Sequence, residues 1–315
     1  MKRTLIGIAV LIFLFSLPLQ FQYLFQDDEV TALQSQETVV DEPLSILFVG
    51  DMMFDRYIRK VADVATGDFI LSCIVNELMD ADFVVGNLEG PITTNESVSV
   101  NSTVGGPNNY TFTFPPETAL LLKRHNIHLV SLGNNHSFNF GISGMKETHS
   151  FLSSAGVAYV GGPVEDQAYL VEIKEIPFAF ISYNQFAERG WKIEVDEAEK
   201  LIRQYTLTHI PIVFAHWGEE YLPATDNQKE LARRFVDAGA DVVVGAHPHI
   251  VQEYEIYKQV PIYYSLGNFV FDQYFNEEVT KGMMVKMLFS KDGFVSAEVT
   301  HTELTKDGRV CPRVL

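Results

Sequence analysis

Six short β-branched or aromatic runs in this chain each end in a glycine set beside a polar side chain, and that recurrence limits the folds open to it. The run at 45–49 leads into Gly50-Asp51, and the run at 83–85 into Gly86-Asn87-Leu88-Glu89. Residues 128–132 end in Gly133-Asn134-Asn135-His136, and 212–215 in His216-Trp217-Gly218. Residues 242–244 end in Gly245-Ala246-His247-Pro248-His249, and a sixth run, near 262, ends in Gly267-Asn268. Such runs read as buried strands. In layered α/β folds, ligands bind in the crevice outside the carboxyl ends of the strands. A glycine there lets the backbone turn tightly or approach a ligand closely. One such polar group reads as a satisfied core residue; six in one topological position read as a site.

Further strand patterns occur at 158–160, 169–173, 178–182, 262–265, 283–289 and 295–301. Helical spacing occurs at 69–79, 116–125, 142–155, 196–205 and 228–238. The alternation predicts one layered α/β domain over 44–315 with largely buried sheets. Residues 93–111, rich in Thr, Asn, Ser and Gly, form one long loop, either flexible or a lid. A charged fraction of 20% against 47% hydrophobic residues excludes a disordered chain and a polytopic membrane protein. The net charge of −18 repels phosphate backbones, which argues against a nucleic-acid partner. It also repels an anionic polymer, except where a metal ion or an arginine reverses the local field. The two cysteines, Cys73 and Cys311, allow one bridge or two unpaired thiols.

At the amino end, Lys2 and Arg3 precede an apolar run at 5–19, and Asp27, Asp28 and Glu29 follow it. Positive before and negative after predicts a signal anchor over 1–25, or a cleaved signal peptide, with the domain outside the cytoplasm. Residues 26–43, polar and acidic, read as a linker that holds the domain off the membrane.

Asp51, His216, His247 and His249 are ordinary metal ligands, with Glu89 and Asn135 as further oxygen donors. Mixed imidazole and oxygen ligands favour Mn, Fe or Zn over Ca or Mg. His247 and His249 are one residue apart, so in an extended segment both rings face one side. Six groups on five strand ends are enough for two ions and in-line attack on phosphorus. His136 is the candidate proton donor to a leaving oxygen.

The same residues form blocks that resemble a known family. Gly50-Asp51-Met52-Met53-Phe54-Asp55-Arg56 resembles the opening motif of CapA-type proteins of capsule and poly-γ-glutamate biosynthesis. Asn87-Leu88-Glu89-Gly90-Pro91, Phe114-Pro115-Pro116-Glu117, Asn134-Asn135-His136-Ser137 and His216-Trp217-Gly218-Glu219-Glu220-Tyr221 look like its next blocks. Gly239-Ala240-Asp241, His247-Pro248-His249 with Gln252, and Tyr264-Ser265-Leu266-Gly267-Asn268-Phe269 complete the order. The resemblance implies the four-layer α/β/β/α sandwich of calcineurin-type metallophosphoesterases. It also implies metal ligation by Asp51, Glu89, Asn135, His216, His247 and His249, with His136 as acid and Arg56 as a further anion contact. Two positions depart from pattern: Met53 stands where calcineurin-type enzymes have histidine, and Asn139 where relatives of this family have aspartate.

Two functions follow from the resemblance. One is a membrane-anchored, metal-dependent hydrolase acting in capsule or poly-γ-glutamate production. The other is a non-catalytic subunit that binds an anionic surface polymer such as poly-γ-glutamate, beside other capsule-synthesis subunits.

Overall fold

A computed structural model describes residues 43–162 and 167–313. The expected signal or anchor segment and all of the linker except Pro43 lie outside the described residues. Among those described, no helix is long and apolar enough to cross a membrane.

Strands β1 (Leu44–Met52), β2 (Phe83–Leu88), β3 (Ile127–Ser131) and β4 (Ala158–Val160) pair in parallel. A second sheet follows from β5 (Ala168–Ile173), β6 (Ile176–Asn184), β7 (Ile210–His216), β8 (Val242–Ala246), β9 (Tyr254–Tyr257) and β10 (Val260–Tyr263). Its order is β5-β6-β7-β8-β10-β9. The chain then returns to the first sheet with β11 (Asn268–Val270), β12 (Lys281–Ser290), β13 (Gly293–Leu304) and β14 (Val310–Pro312). That sheet reads β14-β13-β12-β1-β2-β3-β4, with β11 paired to the end of β1.

Three apolar clusters separate the layers. Strand β1 is buried on both faces: Ile46 and Phe48 pack against Phe178, Phe180, Ile212 and Val244 of the second sheet. Leu47 and Val49 point the other way, into a cluster with side chains from the helices over the first sheet. These are α1 (Arg56–Ala65), α2 (Gly67–Ile70), α3 (Val75–Met79), α4 (Glu117–Arg124) and α5 (Gly141–Ala155). Helices α6 (Trp191–Tyr205) and α7 (Asp226–Ala238) cover the outer face of the second sheet through Ile202, Leu231 and Phe235. The result is a mixed α/β sandwich of two sheets with helices on both outer faces.

Local chemistry moves some boundaries from their expected places. The helical spacing at 69–79 breaks into α2 and α3, and Cys73, in the turn between them, is disulfide-bonded to Cys311 of β14. Of the two cysteine states open in the sequence, the bridge is the one formed. Helix α1, which apolar periodicity did not reveal, starts where the Asp55 carboxylate accepts from Arg56 N at 2.9 Å. Helix α7 begins two residues before the spacing at 228, because Thr225 and Gln228 form a reciprocal capping box.

The loop at 93–111 is tied down within the described structure. Oδ2 of the buried Asp55 accepts from Ser99 Oγ at 2.7 Å and from Thr113 N at 2.9 Å. Thr93 and Thr113 share a hydroxyl contact of 2.6 Å, and Ile92 bridges Phe114. One carboxylate therefore ties the loop at Ser99, and the segment just after it at Thr113, to the start of α1.

The parallel strands deliver their carboxyl ends to one edge. There neighbouring backbone within each sheet comes close enough to exclude side chains at two positions. A Cβ on Gly50 would stand 1.9 Å from the carbonyl oxygen of Gly267, and one on Gly245 2.0 Å from that of Tyr264.

Candidate metal centre

Asp51 near the end of β1, Glu89 just beyond β2 and His249 after β8 place one ligand atom each within 4.8 Å of the others, and all three are buried. Nδ1 of His249 lies 3.2 Å from Asp51 Oδ2, and its Nε2 lies 3.4 Å from Glu89 Oε1. The turn that carries the histidines puts His247 at φ 99° and His249 at φ 57°, conformations that L residues adopt rarely and at a cost. His247 N donates to Asp51 Oδ2 at 3.2 Å, which ties that turn to the first sheet.

Asn87 stands at the middle of the group. Its amide nitrogen donates to Asp51 Oδ1 at 2.7 Å and to Glu89 Oε2 at 3.2 Å, and lies 3.4 Å from His216 Nδ1. Its oxygen accepts from Asn134 Nδ2 at 3.0 Å, which fixes the orientation of the amide. The sequence placed Asn87 at a strand end but gave no reason to single it out from Glu89, two residues on.

The remaining expected ligands adjoin this group. His216, the last residue of β7, sets Nε2 2.8 Å from Asn135 Oδ1, and its ring lies 4.8 Å from that of His247. The His247 ring is 6.0 Å from His249 and 4.2 Å from Phe186, which partly covers it. All six expected ligands thus meet at one edge, although three of them make the tight group.

Electrostatics follow from burial. Desolvation, then the charge of Asp51, raises the Glu89 carboxyl well above the ordinary range. Burial also opposes ionisation of Asp51, but the hydrogen bond and charge of His249, with Asn87 and His247 N, hold its pKa below the ordinary value. Burial and the neighbouring imidazoles push His216 far down, and His247 down to about 3. Two buried atoms here have no hydrogen-bond partner: Glu89 Oε1 and His247 Nδ1. Unpaired buried acceptors are rare and costly. Adjacent carboxylates with a free oxygen, beside a neutral imidazole with a free nitrogen, are the donor chemistry of a cation site. The residues present fit one divalent cation among Asp51, Glu89 and His249. His216, His247 and Asn135 adjoin that place, with the Asn87 amide nitrogen facing His216.

His136 follows β3 and faces the same space, with Nε2 3.9 Å from Glu89 Oε1. Burial pushes its pKa down to about 4, against the hydrogen bond it gives to Asn139. The Phe112 ring lies 4.5 Å from its imidazole. Arg56 reaches the edge but is already engaged. Its guanidinium pairs with Asp272 and stacks 5.0 Å from Phe112 and 5.5 Å from Phe271. Trp217, next to His216, is fully buried and donates from Nε1 to the Tyr264 carbonyl at 2.9 Å, a packing role. Asn268 Oδ1 accepts from His249 Nδ1 at 3.0 Å, and Gln273 bridges Asn268 to the Tyr221 hydroxyl.

A cavity of about 640 Å³ opens at the opposite edge, near the amino ends of β6, β7, β8 and β10. It is lined by Thr206, His209, Asp241 and Lys258 among others and gathers no comparable group of ligating atoms.

The layered sandwich and the buried carboxylate–histidine group at its strand ends define an α/β protein with a candidate cation centre between two sheets. The chain belongs to the bacterial capsule synthesis protein family PGA_cap, whose family model matches residues 45–273 and so takes in every expected site residue. It is similar to the PGA biosynthesis protein CapA of Bacillus subtilis (strain 168), 29% identical over 292 residues, which cover 85% of this chain and 73% of the relative. It is also similar to the capsule biosynthesis protein CapA of Bacillus anthracis, 30% identical over 257 residues, covering 74% of this chain and 61% of the relative. A probable polyglutamine synthesis accessory protein of Mycobacterium tuberculosis (strain ATCC 25618 / H37Rv) is 27% identical over 172 residues, 46% of this chain and 45% of that one. The chain therefore spans about three fifths of the Bacillus anthracis relative's length. Its likeness is therefore to CapA-type proteins of capsule and poly-γ-glutamate synthesis.

Proposed function

We propose that this protein is a membrane-attached, extracytoplasmic hydrolase of capsule or poly-γ-glutamate production that works with a divalent cation. The observation that carries the reading is the pair of buried, unpartnered atoms, Glu89 Oε1 and His247 Nδ1, beside two buried carboxylates. Asp51, Glu89 and His249 would hold the ion, and His216, His247 and Asn135 would take a second. Bound there, the metal would neutralise the carboxylates and polarise a substrate oxygen, and Mn, Fe or Zn suits the ligand mixture.

The chain's own residues do the rest. His136 is positioned to exchange a proton with a substrate oxygen at Nε2, because Nδ1 is held by Asn139 Oδ1 at 3.2 Å. Phe186 lies against His247 and limits water there. Arg56, held by Asp272, orients the Phe112 ring that packs on His136. The layer order and strand-end site resemble calcineurin-type phosphoesterases, which favours a phosphoester, or a bond of the polymer or its membrane carrier, as substrate. The charge pattern around residues 5–19 supports membrane attachment, and the Cys73–Cys311 bridge suits an oxidising compartment. Capsule-synthesis subunits and an anionic surface polymer are the partners this reading implies.

A second reading, a non-catalytic subunit of the synthesis machinery, has one observation in its favour. Asn87 already donates to both carboxylates, and Asp272 already matches the charge of Arg56, so the centre is partly neutralised without an ion. Elemental analysis of the purified full chain, with a phosphodiesterase assay, separates the two readings. A bound transition metal that is lost with turnover in a His247→Ala, His249→Ala double variant supports the hydrolase. Absence of metal after reconstitution leaves the non-catalytic subunit.

A further inference from the structure

The mouth of the centre carries aromatic side chains that stay open to solvent. Phe186, 39% exposed, lies 4.2 Å from the His247 ring and 5.8 Å from that of His216. On the other side, Tyr221 sits 6.1 Å from the His249 ring and meets Phe275, 62% exposed, edge to face at 5.1 Å. Tyr110, 49% exposed, closes the third side, with its backbone carbonyl beside His136. These rings come from four separate connections: β6 to α6, β7 to α7, the loop ahead of α4, and the segment after β11. Exposed large rings gathered at one mouth mark a recognition surface.

The polar groups at that mouth narrow the ligand. Glu220 is exposed and close enough to interact with both Glu89 and Tyr221. The cation that reaches the centre, Arg56, is paired with Asp272. A rim of carboxylate and phenol on a protein of net charge −18 repels a polyanion at this mouth, so an anionic polymer partner would meet the protein elsewhere, and it accepts hydrogen bonds from hydroxyl groups. The ring geometry argues against a flat base. Tyr221 and Phe275 meet at 89° and Phe186 tilts 49° on His247, so neither pair offers parallel faces to clamp one. Separate platforms, with the Glu220 carboxylate and the Tyr221 hydroxyl beside them, suit the C–H faces and hydroxyls of puckered sugar rings.

We propose that the aromatic rim of Tyr110, Phe186, Tyr221 and Phe275 binds an uncharged saccharide, and that the segment entering the centre belongs to a glycan or a glycosylated carrier. The proposal rests on the hydrolase reading only for the place of the scissile bond; the rim binds sugar whether or not turnover occurs.

The test titrates the full chain, in detergent, with β-linked tetramers of N-acetylglucosamine and of glucose by calorimetry. Short poly-γ-glutamate and AMP serve as competitors, and Mn²⁺ uptake is measured in parallel. The expected result is saturable binding of a tetramer that neither competitor displaces. Tyr110→Ala and Phe275→Ala should each weaken it at least tenfold while leaving Mn²⁺ uptake and the melting temperature unchanged. Failure of both tetramers to bind a folded chain overturns the proposal, as does displacement by poly-γ-glutamate or AMP. Sugar binding that persists in a chain with no Mn²⁺ uptake supports the rim and removes the hydrolase reading instead.

Discussion

Asn139 Oδ1 lies 3.2 Å from Nδ1 of His136 and also accepts the Phe112 backbone N–H at 2.8 Å. The second bond identifies the atom as the amide oxygen, so the imidazole carries its proton on Nδ1 and leaves Nε2 open towards Glu89. An asparagine where the family resemblance leads one to expect aspartate therefore keeps the orienting hydrogen bond and gives up the negative charge.

Replacing that oxygen should uncouple two things at once. Asn139→Ala removes the acceptor for a backbone donor and for the imidazole, and should cost about 1–3 kcal/mol of stability. Asn139→Asp should retain the stability and raise the His136 pKa, because a carboxylate favours the imidazolium. Thermal unfolding and an NMR titration of the His136 ring measure the two effects separately. An aspartate variant with the His136 titration unmoved would mean that the side chain at 139 does not face the imidazole.

Asn87 gives the sharpest test of the centre. Its amide donates to both Asp51 and Glu89, so Asn87→Asp replaces a donor with a third buried carboxylate. Without metal the variant should lose about 3–5 kcal/mol, the usual effect of an uncompensated buried charge. Added Mn²⁺ or Zn²⁺ should restore much of this and bind more tightly than to the parent, since binding to the folded state alone stabilises it. Denaturant unfolding with chelator and with metal reads both. Equal destabilisation in the two conditions would count against a cation at this position.

What was readable in the sequence follows from how each feature is encoded. Strands such as 45–49 and 242–244 are dense in β-branched and aromatic residues, and glycines mark their ends, so the edge that gathers Asp51, His216, His247 and His249 could be located without coordinates. Helix α1 left no such trace, because its start is set by one carboxylate, Asp55, whose partners Ser99 and Thr113 are distant in the chain. The break between α2 and α3 accompanies a bond to Cys311, 238 residues away. Asn87 was hidden for a similar reason. Its position was visible, but its place at the middle of the centre depends on two sheets meeting. Asp272 likewise gains meaning only from the Arg56 guanidinium it faces.

Asp241 should give the fold a pH dependence separate from the centre. Burial without a strong partner raises its pKa from 3.8 to about 6. The folded state therefore holds a proton that the unfolded chain releases at lower pH. This contribution to stability is full below about pH 4 and is lost as pH rises through about 6. Relative to the parent, Asp241→Asn should gain stability across that window, by no more than about 1 kcal/mol because the carboxyl is partly open to solvent. Urea midpoints of the two proteins from pH 4 to pH 8 should diverge. Parallel curves would show that the carboxyl is hydrated in the folded state.

The Cys73–Cys311 bridge joins the turn between α2 and α3 to β14 across a loop of 238 residues. Strand β14 is only three residues long and pairs with β13 alone, so few other interactions hold it. Cross-linking so long a loop restricts the unfolded chain, and its loss should cost about 2–4 kcal/mol. The effect should be confined in place. A Cys73→Ser, Cys311→Ser variant should exchange its amides rapidly at 310–312, while β1, β2, β7 and β8 keep their protection and the Asp51–Glu89–His249 group stays formed. Hydrogen exchange read by mass spectrometry resolves the two regions. Loss of protection at β1 and β2 as well would mean that the bridge supports the whole first sheet rather than its edge, and that the centre depends on the oxidised state of this pair.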